Sequence, residues 1–135
     1  MTAVLIDSNV LLDVMTEDPR WFSQSVAALE SAANSFRLVV NSIIYAEISL
    51  RYSRIEDLEA ALPEGMIERE AIPFEAGFLA GKTFLAYRRR GGTERSSLPD
   101  FLIGAHAAVA WHRLLTRDAA RYRSYFPGLR MIAPV

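Results

Sequence analysis

The sequence predicts an α/β protein with three layers, α/β/α, around a central parallel sheet. Short aliphatic runs, such as AVLI at residues 3–6 and RLVV at residues 37–40, alternate with longer segments of helical periodicity. This alternation is typical of right-handed βαβ units, whose parallel strands are covered by helices on both faces. With 51% hydrophobic residues, the 135-residue chain has enough apolar side chains for one core. We therefore expect a single domain over residues 1–135.

The order of the elements follows from the period of the apolar residues. Strands are expected at AVLI, RLVV, MIEREAI (66–72), LLT (114–116) and RMIAP (130–134). Helices are expected at about 9–15, 21–34, 42–52, 54–62, 73–90 and 99–113, and in DAARYRSYF (118–126). Proline and glycine interrupt the pattern at 63–65 and 90–93, and both segments are predicted to be loops.

Composition excludes several classes of protein. The sequence has no cysteine, so a disulfide framework and a thiolate zinc site are both excluded. The longest mostly apolar segment, FLIGAHAAVAW, is too short to span a bilayer, and we expect a cytoplasmic protein without membrane contact. The net charge of −1 conceals an acidic first half and a basic second half. Because both halves interleave in a folded domain, this asymmetry does not by itself identify a nucleic-acid partner.

Two acidic residues follow predicted strands. Asp7 comes directly after AVLI, and Asp118 comes just after LLT. The carboxyl ends of parallel strands meet at one edge of a sheet, which is where ligands bind in such folds. Either residue could instead cap the helix that follows it.

Two more acidic residues lie on helices. Glu47 shares the apolar stripe of its helix with Ile43 and Ile44, where a carboxylate is costly unless an arginine or a bound cation compensates its charge. Asp100 opens its helix on the face that carries Ile103, so it should point to the interior or to a cleft. An acid in a first turn is also favoured by the helix dipole alone.

Together the four acids predict a metal site. Carboxylates that share one cleft repel each other, and a divalent cation relieves the repulsion. Oxygen ligands suit Mg²⁺ or Mn²⁺. The constellation fits hydrolysis of phosphodiesters by water that the metal activates.

Four segments carry a resemblance to a known family: LIDSNVLLD (5–13), YAEI (45–48), LPDFLIGAHA (98–107) and LLTRDAARY (114–122). In their order and spacing they resemble the PIN-domain ribonucleases, and in size the chain is similar to the VapC-type toxins of that family. The resemblance implies a metal-dependent endoribonuclease that cuts RNA. It also implies a small antitoxin partner and a homodimer.

The resemblance also implies roles for individual residues. By position, the catalytic and metal-binding acids would be Asp7, Glu47, Asp100 and Asp118. Asn9 and Thr116 match positions that orient acids or waters, although each could simply belong to a helix start or a strand end.

Basic side chains are needed where RNA phosphates approach an acidic cleft. The main candidates for RNA binding are Arg88, Arg89, Arg90, Arg95 and Arg117, and Arg121 and Arg123 are further candidates beside Asp118. The first three could instead interact with the helix dipole at the C-terminal end of their helix, and Arg117 could form an ion pair with a neighbouring acid. His106 lies off the line of Asp100, and we expect it to be a packed or hydrogen-bonded structural residue.

Two other functions remain open from the sequence. A phosphatase could use Asp7 as its nucleophile, but such enzymes usually have a second aspartate where this chain has Asn9. They also need a lysine after a later strand, whereas the single lysine here, Lys82, lies in a predicted helix. Alternatively, the acids could belong to a non-catalytic module that binds arginines of a partner protein.

Overall fold

Parallel strands form the centre of the molecule in the computed structural model, which describes residues 2–62, 65–92 and 97–135. The strands are β1 (Ala3–Ile6), β2 (Arg37–Val40), β3 (Ile67–Arg69), β4 (Arg113–Leu115) and β5 (Met131–Ile132). They make one sheet in the order β3-β2-β1-β4-β5, and every pairing is parallel. This confirms the predicted parallel sheet.

Helices flank the sheet and complete the predicted α/β/α arrangement. Within the described ranges they are α1 (Ser8–Met15), α2 (Phe22–Ser35), α3 (Ser42–Ser49), α4 (Ile55–Ala61), α5 (Phe74–Arg89), α6 (Leu98–Val109) and α7 (Ala119–Tyr125). Each predicted helix is present, although several ends differ by a few residues. None of the helices in the described part of the chain is long and apolar enough to cross a bilayer.

The central position of β1 decides where the polar residues after the strands meet. All four residues of β1 are fully buried, as expected for a strand with neighbours on both edges and helices on both faces. Its neighbours are β2 and β4. Asp7, Asn41 and Thr116 directly follow these three strands, so they lie side by side at one edge of the sheet.

The predicted helix over 99–113 is too long at its C-terminal end, because α6 ends at Val109. Trp111 has a φ of 61°, a left-handed conformation that stops the helix. The N–H of His112 donates to the carbonyl of Ala107 at 2.9 Å, and the N–H of Trp111 donates to that of Ala108 at 3.4 Å. These two bonds form a Schellman motif with tryptophan where glycine is usual, so no glycine signalled the end of the helix.

We expect Trp111→Gly to raise the free energy of unfolding by about 1 kcal/mol, because glycine adopts a positive φ without steric cost. The side chain of Trp111 is 78% exposed, so its removal costs little packing. Trp111→Ala is the matched control, since it removes the indole but keeps a Cβ. Urea unfolding should rank Trp111→Gly above Trp111→Ala, and equal stabilities would contradict a strained backbone.

Candidate active site

Asp7 lies at the centre of a group of carboxylates and hydrogen-bond donors. It caps α1, and its Oδ1 accepts from the backbone N–H of Ser8 at 2.8 Å. The hydroxyl of Thr116, at the end of β4, donates to Oδ2 at 2.8 Å. Asp7 therefore caps a helix, as the sequence allowed, while its side chain is only 5% exposed.

Glu47 and Asp100 reach the same place from two different helices. The hydroxyl of Ser8 donates to Oε1 of Glu47 at 2.9 Å, which ties α1 to α3. Asp100 lies in the first turn of α6. Among the described residues, Glu47 is paired with this hydroxyl and with no arginine.

The pKa values show that these three carboxylates share one environment. Burial raises the pKa of Asp7 to about 6, and repulsion from Glu47 and Asp100 adds to the rise, although the bonds from Thr116 and Ser8 oppose it. Burial also raises the pKa of Glu47, and the charge of Asp100 raises it further. Repulsion of this kind between neighbouring carboxylates favours a bound cation.

Asp118 joins the group through Asn9. The side-chain amide of Asn9 lies 3.3 Å from Oδ2 of Asp118, 3.4 Å from Oδ2 of Asp7 and 3.4 Å from the hydroxyl of Thr116. The backbone N–H of Asp118 donates to that hydroxyl at 3.0 Å. The side chain of Asp118 makes no capping bond to α7, which removes the alternative that it is only a cap.

Two further site residues come from α7. Tyr122 was not predicted, and Arg121 was predicted only as a candidate for RNA binding. The hydroxyl of Tyr122 is hydrogen-bonded to Asp7, and burial together with the nearby carboxylates raises its pKa above the usual range. The guanidinium of Arg121 lies 3.4 Å from Oδ2 of Asp100 and 3.9 Å from that of Asp118. The available signal was the position of α7, whose N-terminal end starts at the edge of the sheet that holds Asp7.

Comparison with protein families gives a match to the PIN domain over residues 4–126. The chain belongs to the PIN domain family. A comparison with curated protein sequences found no match.

Solved structures of low sequence identity share the fold of this PIN domain. One chain of VapBC2 from Rickettsia felis, determined with a DNA fragment from its promoter, has a TM-score of 0.77, 18% identity and 98% coverage of both chains. A chain of a toxin–antitoxin complex from Klebsiella pneumoniae has a TM-score of 0.72, 20% identity and 98% coverage of both chains. A chain of VapBC-1 from nontypeable Haemophilus influenzae has a TM-score of 0.75, 17% identity and 98% coverage of both chains. Membership of the PIN family indicates a nuclease.

Arg117 of the PIN domain forms an ion pair, which is the alternative that the sequence left open. Its Nε and Nη2 donate to the two oxygens of Asp13 at 2.8 and 3.1 Å. Asp13 is 3% exposed and also accepts from the hydroxyl of Ser25 at 2.7 Å. The guanidinium of Arg117 lies 5.0 Å from the centre of the Trp21 ring. This pair holds α1, α2 and the end of β4 together, and a contact of Arg117 with RNA stays a prediction.

Three of the other predicted RNA-binding residues lie at the end of α5. Arg88, Arg89 and Arg90 are exposed at the C-terminal end of α5, where cations also favour the helix dipole. The guanidinium carbon of Arg88 lies over the ring of Phe84, 5.6 Å from its centre. Arg95 lies outside the described residues.

Proposed function

We propose that this PIN domain is a metal-dependent endoribonuclease and the toxin of a toxin–antitoxin pair. The observation that carries the proposal is the convergence of Asp7, Glu47 and Asp100 from three separate elements. Burial raises the pKa of Asp7 to about 6, and the charges of Glu47 and Asp100 add to the rise. A protein gains nothing in stability by placing other carboxylates beside a buried one that has no cationic partner. Such a cluster is explained by a function, and family membership points to a nuclease.

The carboxylates fit Mg²⁺ or Mn²⁺. The donor set is made of oxygens, and in the described part of the chain the cation of the site, Arg121, pairs with Asp100 and Asp118 rather than with the buried Asp7. The proposed ligands are Asp7, Glu47, Asp100 and Asp118. When bound, the metal supplies Lewis acidity, which activates water and stabilises the charge that develops on the phosphodiester.

The residues of the chain have separate tasks in this proposal. Ser8 and Thr116 donate to the two oxygens of Asp7 and hold them in place, and the buried hydroxyl of Tyr122 is hydrogen-bonded to the same carboxyl group. Asn9 keeps Asp118 next to Asp7. Because water is the nucleophile, no side chain has to attack the RNA. Substrate phosphates need cations at the rim, and the exposed arginines at the end of α5 are the proposed ones.

Two partner proteins belong to the proposal. A small antitoxin is supported by the similar structures, which were determined as VapBC and toxin–antitoxin complexes. A second copy of the chain is supported by Phe74 and Phe78, which are one turn apart on α5 and 96% and 71% exposed. We place this assembly in the cytoplasm, where its RNA substrates are.

A phosphatase that uses Asp7 as its nucleophile is less well supported by the geometry. Both oxygens of Asp7 accept hydrogen bonds, from Ser8 and Thr116, and its raised pKa makes it partly protonated near pH 6. Lys82 is exposed on α5, with its ammonium 5.3 Å from the Phe78 ring. It therefore has no part in the site.

The proposal predicts that Asp100→Asn lowers RNA cleavage by at least about 100-fold, because several kcal/mol of transition-state stabilisation depend on the metal and each 1.36 kcal/mol is tenfold in rate. Glu56→Gln, which removes an exposed acid of α4, is the charge-matched control and should cleave normally. The measurement is cleavage of total bacterial RNA and of single-stranded DNA with Mn²⁺ or with EDTA, followed by mapping of new 5′ ends.

Thermal unfolding separates the competing functions. Mn²⁺ should raise the Tm of the wild type and of Glu56→Gln, and it should raise that of Asp100→Asn much less, because a ligand of the folded state stabilises it. A wild type that is folded, binds no Mn²⁺ and cleaves no nucleic acid would support the non-catalytic binding module instead.

A further inference from the structure

A network of polar side chains connects α6 to the residues that follow β2 and β3, and the proposed function leaves it unused. His106 is fully buried in α6. Its Nδ1 is 3.0 Å from the side-chain nitrogen of Asn41, and its Nε2 is 2.8 Å from Oε1 of Glu70. The Nε2 of His112 lies 2.7 Å from the same oxygen.

The direction of these hydrogen bonds is fixed by the cap of α3. Oδ1 of Asn41 accepts from the backbone N–H of Ile44 at 2.9 Å, so its amide nitrogen must face His106. An amide nitrogen only donates, and Nδ1 of His106 is therefore the acceptor. The ring proton lies on Nε2 and is donated to Glu70. Burial lowers the pKa of His106, which agrees with a neutral ring.

This tautomer argues against a metal ion at the network, although the ligand atoms of Glu70, His106 and His112 lie within 4.8 Å of one another. A metal on Nε2 of His106 would move the ring proton to Nδ1, where it would meet the N–H groups of Asn41. Relief of that clash would require Asn41 to rotate and give up the cap of α3. Each of these three side chains already has a hydrogen-bond partner in the network.

The bond between Asn41 and His106 joins the two helices that carry acids of the site. Asn41 caps α3, which holds Glu47, and His106 lies on α6, which holds Asp100. These helices pack against each other. We propose that Asn41 and His106 are positioning residues, whose hydrogen bond sets the spacing between Glu47 and Asp100. The inference rests on the proposed function, since the spacing matters only if both acids bind the metal.

Two substitutions of His106 each remove a different one of its two hydrogen bonds. His106→Asn places an oxygen near the position of Nδ1, so it can accept from Asn41 while the bond to Glu70 is lost. His106→Gln places an amide nitrogen near the position of Nε2, so it can donate to Glu70 while the bond to Asn41 is lost. Each variant keeps one of the two bonds of a fully buried side chain, so their losses of stability should be comparable.

We expect His106→Gln to weaken Mn²⁺ binding about tenfold or more, and His106→Asn to stay within about twofold of the wild type, because residues that orient metal ligands typically contribute 10- to 100-fold. The measurement is calorimetric titration of Mn²⁺ at a temperature where all proteins are folded. Asn41→Ser is the second variant, because serine still caps α3 but offers His106 no amide donor. It should bind Mn²⁺ as weakly as His106→Gln.

The possible outcomes distinguish a failure of the proposed function from a failure of the positioning role. A wild type without Mn²⁺ binding would overturn the proposed function and, with it, the role of the spacing. Equal affinities of His106→Asn and His106→Gln, with normal binding by the wild type, would overturn the positioning role alone. Long-range ¹H–¹⁵N spectra of the wild type should show the Nε2–H tautomer of His106, and a proton on Nδ1 would also overturn it.

Discussion

Asp7→Asn is expected to abolish RNA cleavage and, without metal, to make the protein more stable than the wild type at neutral pH. The folded-state pKa of Asp7 is raised from 3.8 to about 6, so folding favours its neutral form. The corresponding stability is fully present below pH 3.8 and is lost as the pH rises through about 6. Because asparagine does not ionise, the variant does not lose this stability as the pH rises.

The difference in unfolding free energy between Asp7→Asn and the wild type should therefore grow between pH 4 and pH 7, by about 2 to 3 kcal/mol at 1.36 kcal/mol per pKa unit. The absolute gain will be smaller, because the asparagine amide must face one of the donors, Ser8 or Thr116. Urea unfolding in EDTA at several pH values measures the growth. Asp57→Asn, at an exposed position of α4, is the control. A difference that stays constant with pH would show that folding does not raise the pKa of Asp7.

Arg117→Ala is expected to lower the free energy of unfolding by about 3 kcal/mol, the lower end for a broken buried pair, because it leaves the carboxylate of Asp13 buried without its partner. Asp13 is 3% exposed, whereas Arg117 keeps 29% of its side chain in solvent. The control is Arg54→Ala, which breaks a surface pair with Glu56 and should cost less than about 1 kcal/mol. Chemical unfolding measures both variants.

The same pair of variants tests the predicted RNA contact of Arg117. If Arg117 serves only the fold, cleavage per folded molecule should be equal in Arg117→Ala and the wild type at a temperature where both are folded. A raised KM with unchanged kcat would instead assign Arg117 a contact with RNA. A loss of stability no larger than that of Arg54→Ala would contradict the structural role of the ion pair.

The sequence was sufficient for the order of the strands and helices, because aliphatic runs and helical periods record burial directly. It also singled out Asp7 and Glu47, since an acid after a buried strand or on an apolar stripe breaks the pattern that surrounds it. The end of α6 at Val109 was missed because tryptophan, not glycine, adopts the left-handed conformation there. Rules for helix ends look for glycine at this position, so they did not predict an end at a tryptophan.

The contacts of Tyr122, Arg121 and His106 could not be predicted from the sequence. In a helical pattern Tyr122 looks like an ordinary buried aromatic residue, and its bond to Asp7 depends on how α7 packs against the sheet. The tautomer of His106 depends on a helix cap 65 residues earlier in the chain. Such partners are set by packing of remote segments, which periodicity does not encode.

The residues that form hydrogen bonds with Asp7 from β4 and α7 lie far from it along the sequence, which has a consequence during translation. The hydroxyl that holds Asp7 belongs to Thr116, which the ribosome adds 109 residues later, and Tyr122 follows after that. Because β1 needs β4 as its neighbour, a growing chain that displays Asp7 has no assembled cleft. For a protein proposed to cut RNA, this order of synthesis keeps the nascent chain inactive while it is still beside its own messenger.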